Sequence, residues 1–332
     1  MSKTKTTLKD IAERANVSIA TVSRALRDDA RVAESTRRYI MQIAQEMGVS
    51  LQSELTNAVG PVVVHVLDTG WGSFFEESIH ELTRYGEEHN FEVIIERVRR
   101  HEPVSGAIAK ARDMKEGVVV LGTWDNINET EAEQIGNLNV PVILINRYIG
   151  TRAASVTLDD FATGWTVVEY LTNLGHERIA YLPGVQSSTS MQDRLRGYRA
   201  ALERKGLYRP ELCATPLTGD ILEWACQCVK RLLDLPEPPT AIWTCNDVAA
   251  SAVIVTLKTQ GIHIPEQISV IGHDHLPSHN IGLTTFGFRF RELGYHVGQL
   301  AAGYLRGELT GTVRISVESE FISGNTAGPA PD

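Results

Sequence analysis

The side chains with the most recognisable chemistry lie near the amino terminus, in the run Ser18-Ile19-Ala20-Thr21-Val22-Ser23-Arg24. On a helix whose first residues face a DNA major groove, the apolar Ile19 and Ala20 suit contacts with thymine methyl groups, and Arg24 can pair with guanine. Ser18 is the expected N-cap of that helix, because its hydroxyl can accept a hydrogen bond from a backbone N–H two or three residues later. The run therefore predicts contacts to DNA base edges.

Three short helices must position this run. Apolar residues recur at helical spacing on each of them, so that each helix can bury one face against the others. The positions are Leu8, Ile11, Ala12 and Ala15 on the first helix, Val22 and Leu26 on the second, and Ile40, Ile43, Ala44 and Met47 on a third from about Glu34 to Met47. The first two predict a helix-turn-helix, in which the second helix lies in the major groove and the first crosses the DNA backbone.

The charge distribution agrees with this prediction. The chain of 332 residues has a formal net charge of −9, yet residues 1–38 hold nine Lys or Arg against five Asp or Glu. Positive charge is therefore concentrated where it can neutralise phosphates.

Several other classes of protein are disfavoured. No apolar run approaches the ~18 residues of a membrane span, and the amino terminus lacks the apolar region of a signal peptide, so we expect a cytoplasmic protein with no membrane partner. The cysteines, Cys213, Cys226, Cys228 and Cys245, lack the spacing of a zinc site and are expected to be reduced structural thiols. Nucleophile-elbow, phosphate-loop and zinc-protease motifs are missing, so we expect no enzyme, no cofactor and no metal.

From Pro61 onward, short apolar runs alternate with amphipathic helical stretches. The runs are 62–67, 93–96, 118–121, 142–145, 179–182, 241–244 and 268–272. Such alternation is typical of parallel sheets covered by helices. Because this is more than one small sheet comfortably holds, we predict two doubly wound parallel-sheet subdomains.

The amino-terminal runs TLKDIAERANVSIATVSRAL and RVAESTRRYIMQIAQEMG resemble the headpiece of the lactose/galactose-repressor (LacI/GalR) family of bacterial transcription regulators. The order of the later elements is similar to the periplasmic-binding-protein-like core of that family. The resemblance implies a helix-turn-helix headpiece in residues 1–48, a hinge in 49–60, and an effector-binding and dimerisation core in 61–332. Within the core it implies an N-subdomain of about 61–155 and 288–315 and a C-subdomain of about 156–287 and 316–332.

The same resemblance implies a homodimer that binds a palindromic operator and responds to a small molecule. The expected DNA contacts are Thr7, Leu8, Ser18, Ile19, Ala20, Thr21, Ser23, Arg24, Arg31, Thr36 and Leu55. The hinge departs from the family, since residues 49–58 contain no proline, an acid at Glu54, and Ala58 where a leucine usually wedges into the minor groove. We therefore expect weaker operator bending unless Leu55 serves as the wedge.

Ligands of open parallel sheets bind beyond the carboxyl ends of the strands. The residues there that match the family are expected to bind the effector: Asp68, Trp71, Phe74, Phe75, Asn146, Arg147, Ser188, Ser190, Arg194, Asn246, Asp247 and Asp274. Arg194 is the foremost candidate, because a guanidinium offers a planar set of donors to hydroxyl pairs or to a carboxylate. Aromatic rings beside amides and carboxylates would suit a sugar.

Each of these residues also has a structural alternative. Asp247 and Asp274 could simply cap the helices that follow them, and Phe74-Phe75 could be core. Asp159, at another family position, could only start a helix, and His273-Asp274-His275 does not favour a metal, because alternate residues of an extended segment point opposite ways.

The chain also departs from the family outside the hinge. Gly219-Asp220 lacks the usual following aromatic residue, for which Trp224 could substitute, and the crossover at 286–291 is unusually aromatic. The tail after Ser323 is expected to fray. The sequence as a whole predicts a repressor of carbohydrate-utilisation genes. The alternatives are a regulator that responds to a nucleobase or another metabolite, or a cytoplasmic sugar-binding protein without a repressor role.

Overall fold

The computed structural model describes residues 8–18, 21–22, 25, 32–47, 62–67, 76–98, 104–122, 127–150, 152–275 and 282–331. The chain divides into two compact units, Met1–Gly60 and Pro61–Asp332. The described part of the first unit is helical, and the second unit combines two sheets with helices.

The first unit contains α1 (Leu8–Ala15) and α2 (Glu34–Glu46). Helix α1 ends at Ala15, and the following Asn16 has a φ of 52°, in the left-handed region that asparagine tolerates. As predicted, Ser18 caps the next helical segment, because its Oγ accepts a hydrogen bond from the Thr21 backbone N–H at 3.0 Å. The buried apolar core of the unit is formed by Ile11, Ala12, Ala15, Val22, Ala25, Val32, Ile40, Ile43 and Ala44.

The first sheet of the second unit has the strand order β10-β5-β4-β3-β1-β2, and its neighbouring strands are parallel. The strands are β1 (Val62–Leu67), β2 (Val93–Val98), β3 (Val118–Gly122), β4 (Val142–Ile145), β5 (Ala154–Leu158) and β10 (Arg314–Val317). Its helices are α3 (Glu76–His89), α4 (Val104–Arg112), α5 (Glu129–Gly136) and α10 (Phe290–Leu305). Strands β3, β4 and β5 are buried along their whole length, as expected for strands covered on both faces.

The second sheet has the order β11-β9-β8-β7-β6 and is parallel except for the antiparallel edge strand β11. The strands are β6 (Ile179–Leu182), β7 (Ala241–Thr244), β8 (Ser269–Asp274), β9 (Thr284–Gly287) and β11 (Glu320–Ile322). The helices around it are α6 (Asp160–Asn173), α7 (Thr189–Lys205), α8 (Ile221–Leu233) and α9 (Asp247–Thr259), with a short 3-10 helix at Pro210–Leu212.

The predicted fold class is confirmed. The chain leaves the first sheet after Leu158 rather than near 155, because β5 pairs with β10 as far as that residue.

The prediction of a frayed tail is wrong. Thr326 accepts a hydrogen bond from the Val270 backbone N–H at 2.6 Å, and the Ala330 N–H donates to the Leu174 carbonyl at 2.8 Å. The buried His176 lies with its Nε2 3.0 Å from the Gly328 carbonyl oxygen. These bonds attach the tail along the second sheet. The expectation of fraying came from the glycine and proline content of the tail, which does not show such hydrogen bonds.

Candidate ligand-binding site at the strand ends

Arg194 is fully buried, although it carries a long charged side chain. Its Nε donates to Asp160 Oδ1 at 2.6 Å, and its Nη1 donates to the Cys245 carbonyl at 2.7 Å. Its Nη2 has no hydrogen-bond partner among the described residues. Burial opposes the charge of the guanidinium, but Asp160 and Asp274 raise the pKa of Arg194 above its ordinary value. The raised pKa favours a charged arginine, which keeps one nitrogen without a hydrogen-bond partner among the described residues.

Two helices hold this arginine in place. Arg194 lies on α7, which packs closely against α6. The approach depends on glycine, because a Cβ added at Gly164 would lie 2.3 Å from the Arg194 carbonyl oxygen, and one at Gly197 would lie 2.0 Å from the Phe161 carbonyl oxygen. Asp160, at the start of α6, is thereby brought against the guanidinium.

Asp274, the last residue of β8, lies near the same arginine, and Asp247, which follows β7, lies near Asp274. Asp274 is buried with a φ of 104°, and its Oδ1 is 2.9 Å from Nδ1 of the buried His273. Burial raises the pKa of Asp274 well above its usual value, the nearby Arg194 opposes this, and the charges of Asp247 and Asp160 add to it. Burial and the charge of Arg194 lower the pKa of His273 well below its usual value. We call Arg194, Asp160, Asp247, His273 and Asp274 the Arg194 cluster.

Asp247 does not cap the helix that follows it. The N-cap of α9 is Asn246, whose Oδ1 accepts a hydrogen bond from the Ala249 backbone N–H at 2.9 Å. Asp247 instead accepts a hydrogen bond from the Thr285 hydroxyl at 2.7 Å. A Cβ at Gly272 would lie 2.3 Å from Asp247 Oδ1, so only glycine leaves room for this carboxylate.

The end of β4 contributes a second group, Asn146, Arg147 and Tyr148, which we call the Asn146 segment. Asn146 and Arg147 are each 3% exposed, and Asn146 has a φ of 60°. Both amide atoms of Asn146 lack a hydrogen-bond partner within the part of the chain that the structure describes.

Two hydrogen bonds join the Asn146 segment, on the first sheet, to the amino-terminal end of α7, on the second. Ser190 Oγ donates to the Asn146 carbonyl at 3.0 Å, and the Tyr148 hydroxyl donates to Asp193 at 2.9 Å. The Arg314 guanidinium also lies over the Tyr148 ring, 3.5 Å from the ring centroid. The two sheets therefore meet at their strand ends through polar contacts.

Other predicted residues have clear surroundings. Ser188 is buried at the N-cap position of α7, without a side-chain capping bond. Trp224 packs in the apolar core, where its indole N–H donates to the Thr215 carbonyl at 3.0 Å. From the aromatic crossover, Phe288 meets the His273 ring edge to face, with ring centroids 5.6 Å apart.

The most important residue missed by the sequence analysis is Asp160. The sequence favoured its neighbour Asp159, whose Oδ1 accepts a hydrogen bond from the Ala162 backbone N–H at 2.9 Å and so only caps α6. The available signal was the pair Asp159-Asp160 directly after a strand, because one of two adjacent acids is free for another role once its neighbour caps the helix.

The other predicted residues that the structure describes lie in the first unit. Thr21 is partly buried, Thr36 lies in the first turns of α2, and Leu8 begins α1. Outside the described residues lie the hinge 49–60 with Leu55, and also Thr7, Ile19, Ala20, Ser23, Arg24, Arg31, Asp68, Trp71, Phe74 and Phe75.

The described ranges hold no group of three or more His, Cys, Asp or Glu placed to bind a metal ion. The four cysteines are free thiols. Across the same ranges, every helix is too short or too polar to cross a lipid bilayer.

Residues 7–49 match the family described as bacterial regulatory proteins, lacI family, and residues 168–326 match the periplasmic binding protein-like domain. The chain thus combines a lacI-family helix-turn-helix domain with a periplasmic binding protein-like domain, and its relatives are LacI-family repressors. With these domains and relatives, it is a ligand-responsive DNA-binding transcriptional regulator.

Named relatives agree along most of the chain. The HTH-type transcriptional repressor CytR of Escherichia coli (strain K12) is 29% identical over 338 residues, which cover 96% of this chain and 96% of the relative. The probable HTH-type transcriptional repressor ExuR of Bacillus subtilis (strain 168) is 29% identical over 281 residues, which cover 81% of this chain and 82% of the relative.

Solved structures show the same fold. The lac repressor dimer bound to operator and the anti-inducer ONPF has a TM-score of 0.68 and 21% identity, covering 98% of this chain and all (100%) of that chain. A complex of the transcriptional regulator CelR with cellobiose has a TM-score of 0.69 and 20% identity, covering 97% of this chain and 100% of that one.

Proposed function

We propose that this LacI-family regulator is a homodimeric repressor of carbohydrate-utilisation genes, which binds a palindromic operator and is controlled by a sugar bound at the strand ends. The observation that carries the proposal is the set of buried polar atoms without partners on the two sides of the site, the Asn146 amide and Arg194 Nη2, beside the buried carboxylates Asp247 and Asp274.

A sugar suits this set because each hydroxyl both donates and accepts hydrogen bonds. The Asn146 amide can donate and accept, Arg194 Nη2 donates, and a carboxylate accepts. Leaving such atoms buried without partners costs free energy, which a ligand that pairs with them recovers. A regulator of the same fold was solved as a complex with cellobiose, which supports a sugar as the effector.

Control of DNA binding would act through the contacts between the two sheets. A ligand that pairs with both the Asn146 segment and the Arg194 cluster favours the arrangement in which the two lie close together. By mass action it changes the population of the DNA-competent dimer only as far as it binds one arrangement better than the other.

Ligand binding and operator binding can be tested on the full chain. An operator is first selected from a random duplex library, and its affinity is then followed by fluorescence anisotropy with and without each sugar of a panel that includes cellobiose. We expect one sugar to change operator affinity at least tenfold. If no sugar changes operator affinity or the melting temperature, the sugar part of the proposal is wrong.

Two variants should separate the two activities. Asp274→Asn should keep operator affinity and lose the response to the sugar, and asparagine tolerates the φ of 104° at this position. Arg24→Ala should keep sugar binding and lose about 1–3 kcal/mol of discrimination at one operator position. Equal losses by Arg24→Ala on operator and random DNA would show that Arg24 contacts only phosphate.

A further inference from the structure

We propose that Asp160 is a positioning residue that makes the site select neutral hydroxyl-bearing effectors over their carboxylate counterparts. The inference rests on the proposed function, because it names the class of sugar that the same site accepts. It concerns the charge of Arg194, which the sequence alone left open to either hydroxyl pairs or a carboxylate.

The charge of Arg194 already has a partner inside the protein. The two side chains are 0% and 2% exposed, and Asp160 Oδ1 lies 2.6 Å from Arg194 Nε. A carboxylate binds an arginine most strongly through two parallel N–H donors. Asp160 occupies Nε and the Cys245 carbonyl occupies Nη1, so Nη2 is the guanidinium nitrogen left without a partner among the described residues. Because Asp160 neutralises the charge of Arg194 and Nη2 is the nitrogen left to donate, the guanidinium suits a hydroxyl group of the ligand.

The other buried carboxyl groups of the Arg194 cluster also disfavour an anion. Asp247 and Asp274 are both buried in the same cluster. These carboxylates influence one another's protonation, since the negative charges of Asp247 and Asp160 contribute to the raised pKa of Asp274. Burial and the neighbouring carboxylates oppose a negative charge on Asp274, and they would oppose a ligand carboxylate in the same way. A hydroxyl can instead donate to these carboxylates.

The adjacent Asp159 provides a matched control for Asp160. Both aspartates stand at the start of α6, but the Asp159 side chain caps the helix through the Ala162 N–H, whereas Asp160 contacts Arg194. Asparagine is also a good N-cap, so Asp159→Asn removes one negative charge without removing the cap. The same substitution at neighbouring positions therefore separates a general charge effect from the pairing of Arg194.

The first experiment measures sugar binding by the wild-type full chain. Calorimetry at pH 7.5 compares matched pairs: D-glucose with D-glucuronate, D-galactose with D-galacturonate, and D-mannose with D-mannuronate. In any pair that binds, we expect the neutral sugar to bind at least tenfold more tightly. Tighter binding of a uronate overturns the inference while ligand binding by the site stands. If neither member of any pair binds, the inference fails; the sugar part of the proposed function fails as well only if no sugar of the larger panel acts.

The second experiment compares Asp160→Asn with Asp159→Asn on the pair that binds. Asp160→Asn should weaken binding of the neutral sugar and strengthen binding of the uronate, because Arg194 then needs a new counter-charge. The ratio of the two affinities should move at least tenfold towards the uronate. Asp159→Asn should leave the ratio unchanged. A merely structural role of Asp160 would weaken both sugars alike and leave the ratio where it was, which overturns the inference.

Removing one partner of a buried ion pair can prevent folding. If Asp160→Asn does not fold, the double variant Asp160→Asn with Arg194→Gln replaces both charges by amides. We expect the ratio of the two affinities to stay within threefold of the wild-type ratio, because the Arg194–Asp160 pair contributes no net charge. A ratio that moves at least tenfold towards the neutral sugar would show that Arg194 offers its charge to the uronate despite Asp160, which overturns the inference.

Discussion

The two sides of the site differ in how completely their polar groups are paired. In the Arg194 cluster, two guanidinium nitrogens have partners and Asp247 accepts a hydrogen bond from Thr285. In the Asn146 segment, both amide atoms of Asn146 are buried without a partner in the described part of the chain. A group held before the ligand arrives fixes which ligand can bind. A polar group that has no partner until a ligand binds changes its hydrogen bonding on binding, and it is therefore better suited to transmit the binding event.

This contrast predicts unequal costs of substitution. Changes in the Arg194 cluster should cost folding stability as well as ligand binding, because its members depend on one another. Changes in the Asn146 segment should affect mainly ligand binding and its transmission.

The largest effect is expected for Arg194→Ala. It leaves Asp160 buried without its counter-charge, which should lower the free energy of unfolding by about 3–5 kcal/mol. Urea unfolding of the full chain measures this loss, and calorimetry should detect no sugar binding. The double variant Arg194→Met with Asp160→Leu should recover most of the stability but not the binding. A loss below about 1 kcal/mol for Arg194→Ala would contradict a preformed ion pair.

Gly164→Ala should have the next largest effect, because the added methyl group forces α7 and Arg194 away from α6. Its Cβ would lie 2.3 Å from the Arg194 carbonyl oxygen, and such overpacking costs about 1–3 kcal/mol. Gly311→Ala is the matched control, since no atom lies within 4 Å of a Cβ there. Sugar affinity should fall with Gly164→Ala and stay unchanged with Gly311→Ala. Equal melting temperatures for the two variants would count against the close helix contact.

The sequence predicted apolar strands better than a strand that contains buried polar residues. Apolar runs fixed the bounds of β1, β4, β6 and β7, because a strand covered on both faces must be apolar. Strand β5 was missed, since Ser155 and Thr157 interrupt its apolar pattern although both are buried.

The Arg194 cluster was only partly predictable for a related reason. Arg194, Asp247 and Asp274 follow strands or lie in a recognisable loop, whereas Asp160 differs from Asp159 only by where α6 begins. Pairing with Arg194 depends on the packing of α6 against α7, which involves glycines far apart in the chain. Local patterns in sequence do not contain that information.

Asn146→Gly tests the other side of the comparison. Glycine adopts the φ of 60° without strain, so the substitution removes the amide and leaves the backbone in place. Two lost hydrogen bonds should weaken sugar binding roughly tenfold, at about 0.5–1.5 kcal/mol each. The free energy of unfolding should change far less than with Arg194→Ala. A large loss of stability would show that Asn146 is as firmly integrated as the Arg194 cluster.

The smallest effect is expected for Tyr148→Phe, which removes only the hydroxyl that donates to Asp193 across the two sheets. The ring and its contact with Arg314 remain, so stability should fall by no more than about 0.5–1.5 kcal/mol. Because the lost bond joins the sheets, the variant should require a higher sugar concentration for the same change in operator affinity. Tyr304→Phe is the matched control, since its hydroxyl donates to the Gly311 carbonyl away from the site. A shifted sugar response in Tyr148→Phe but not in Tyr304→Phe would identify the bond between the sheets as part of the signal. Equal responses would place that signal in the Asn146 amide and the Ser190 bond instead.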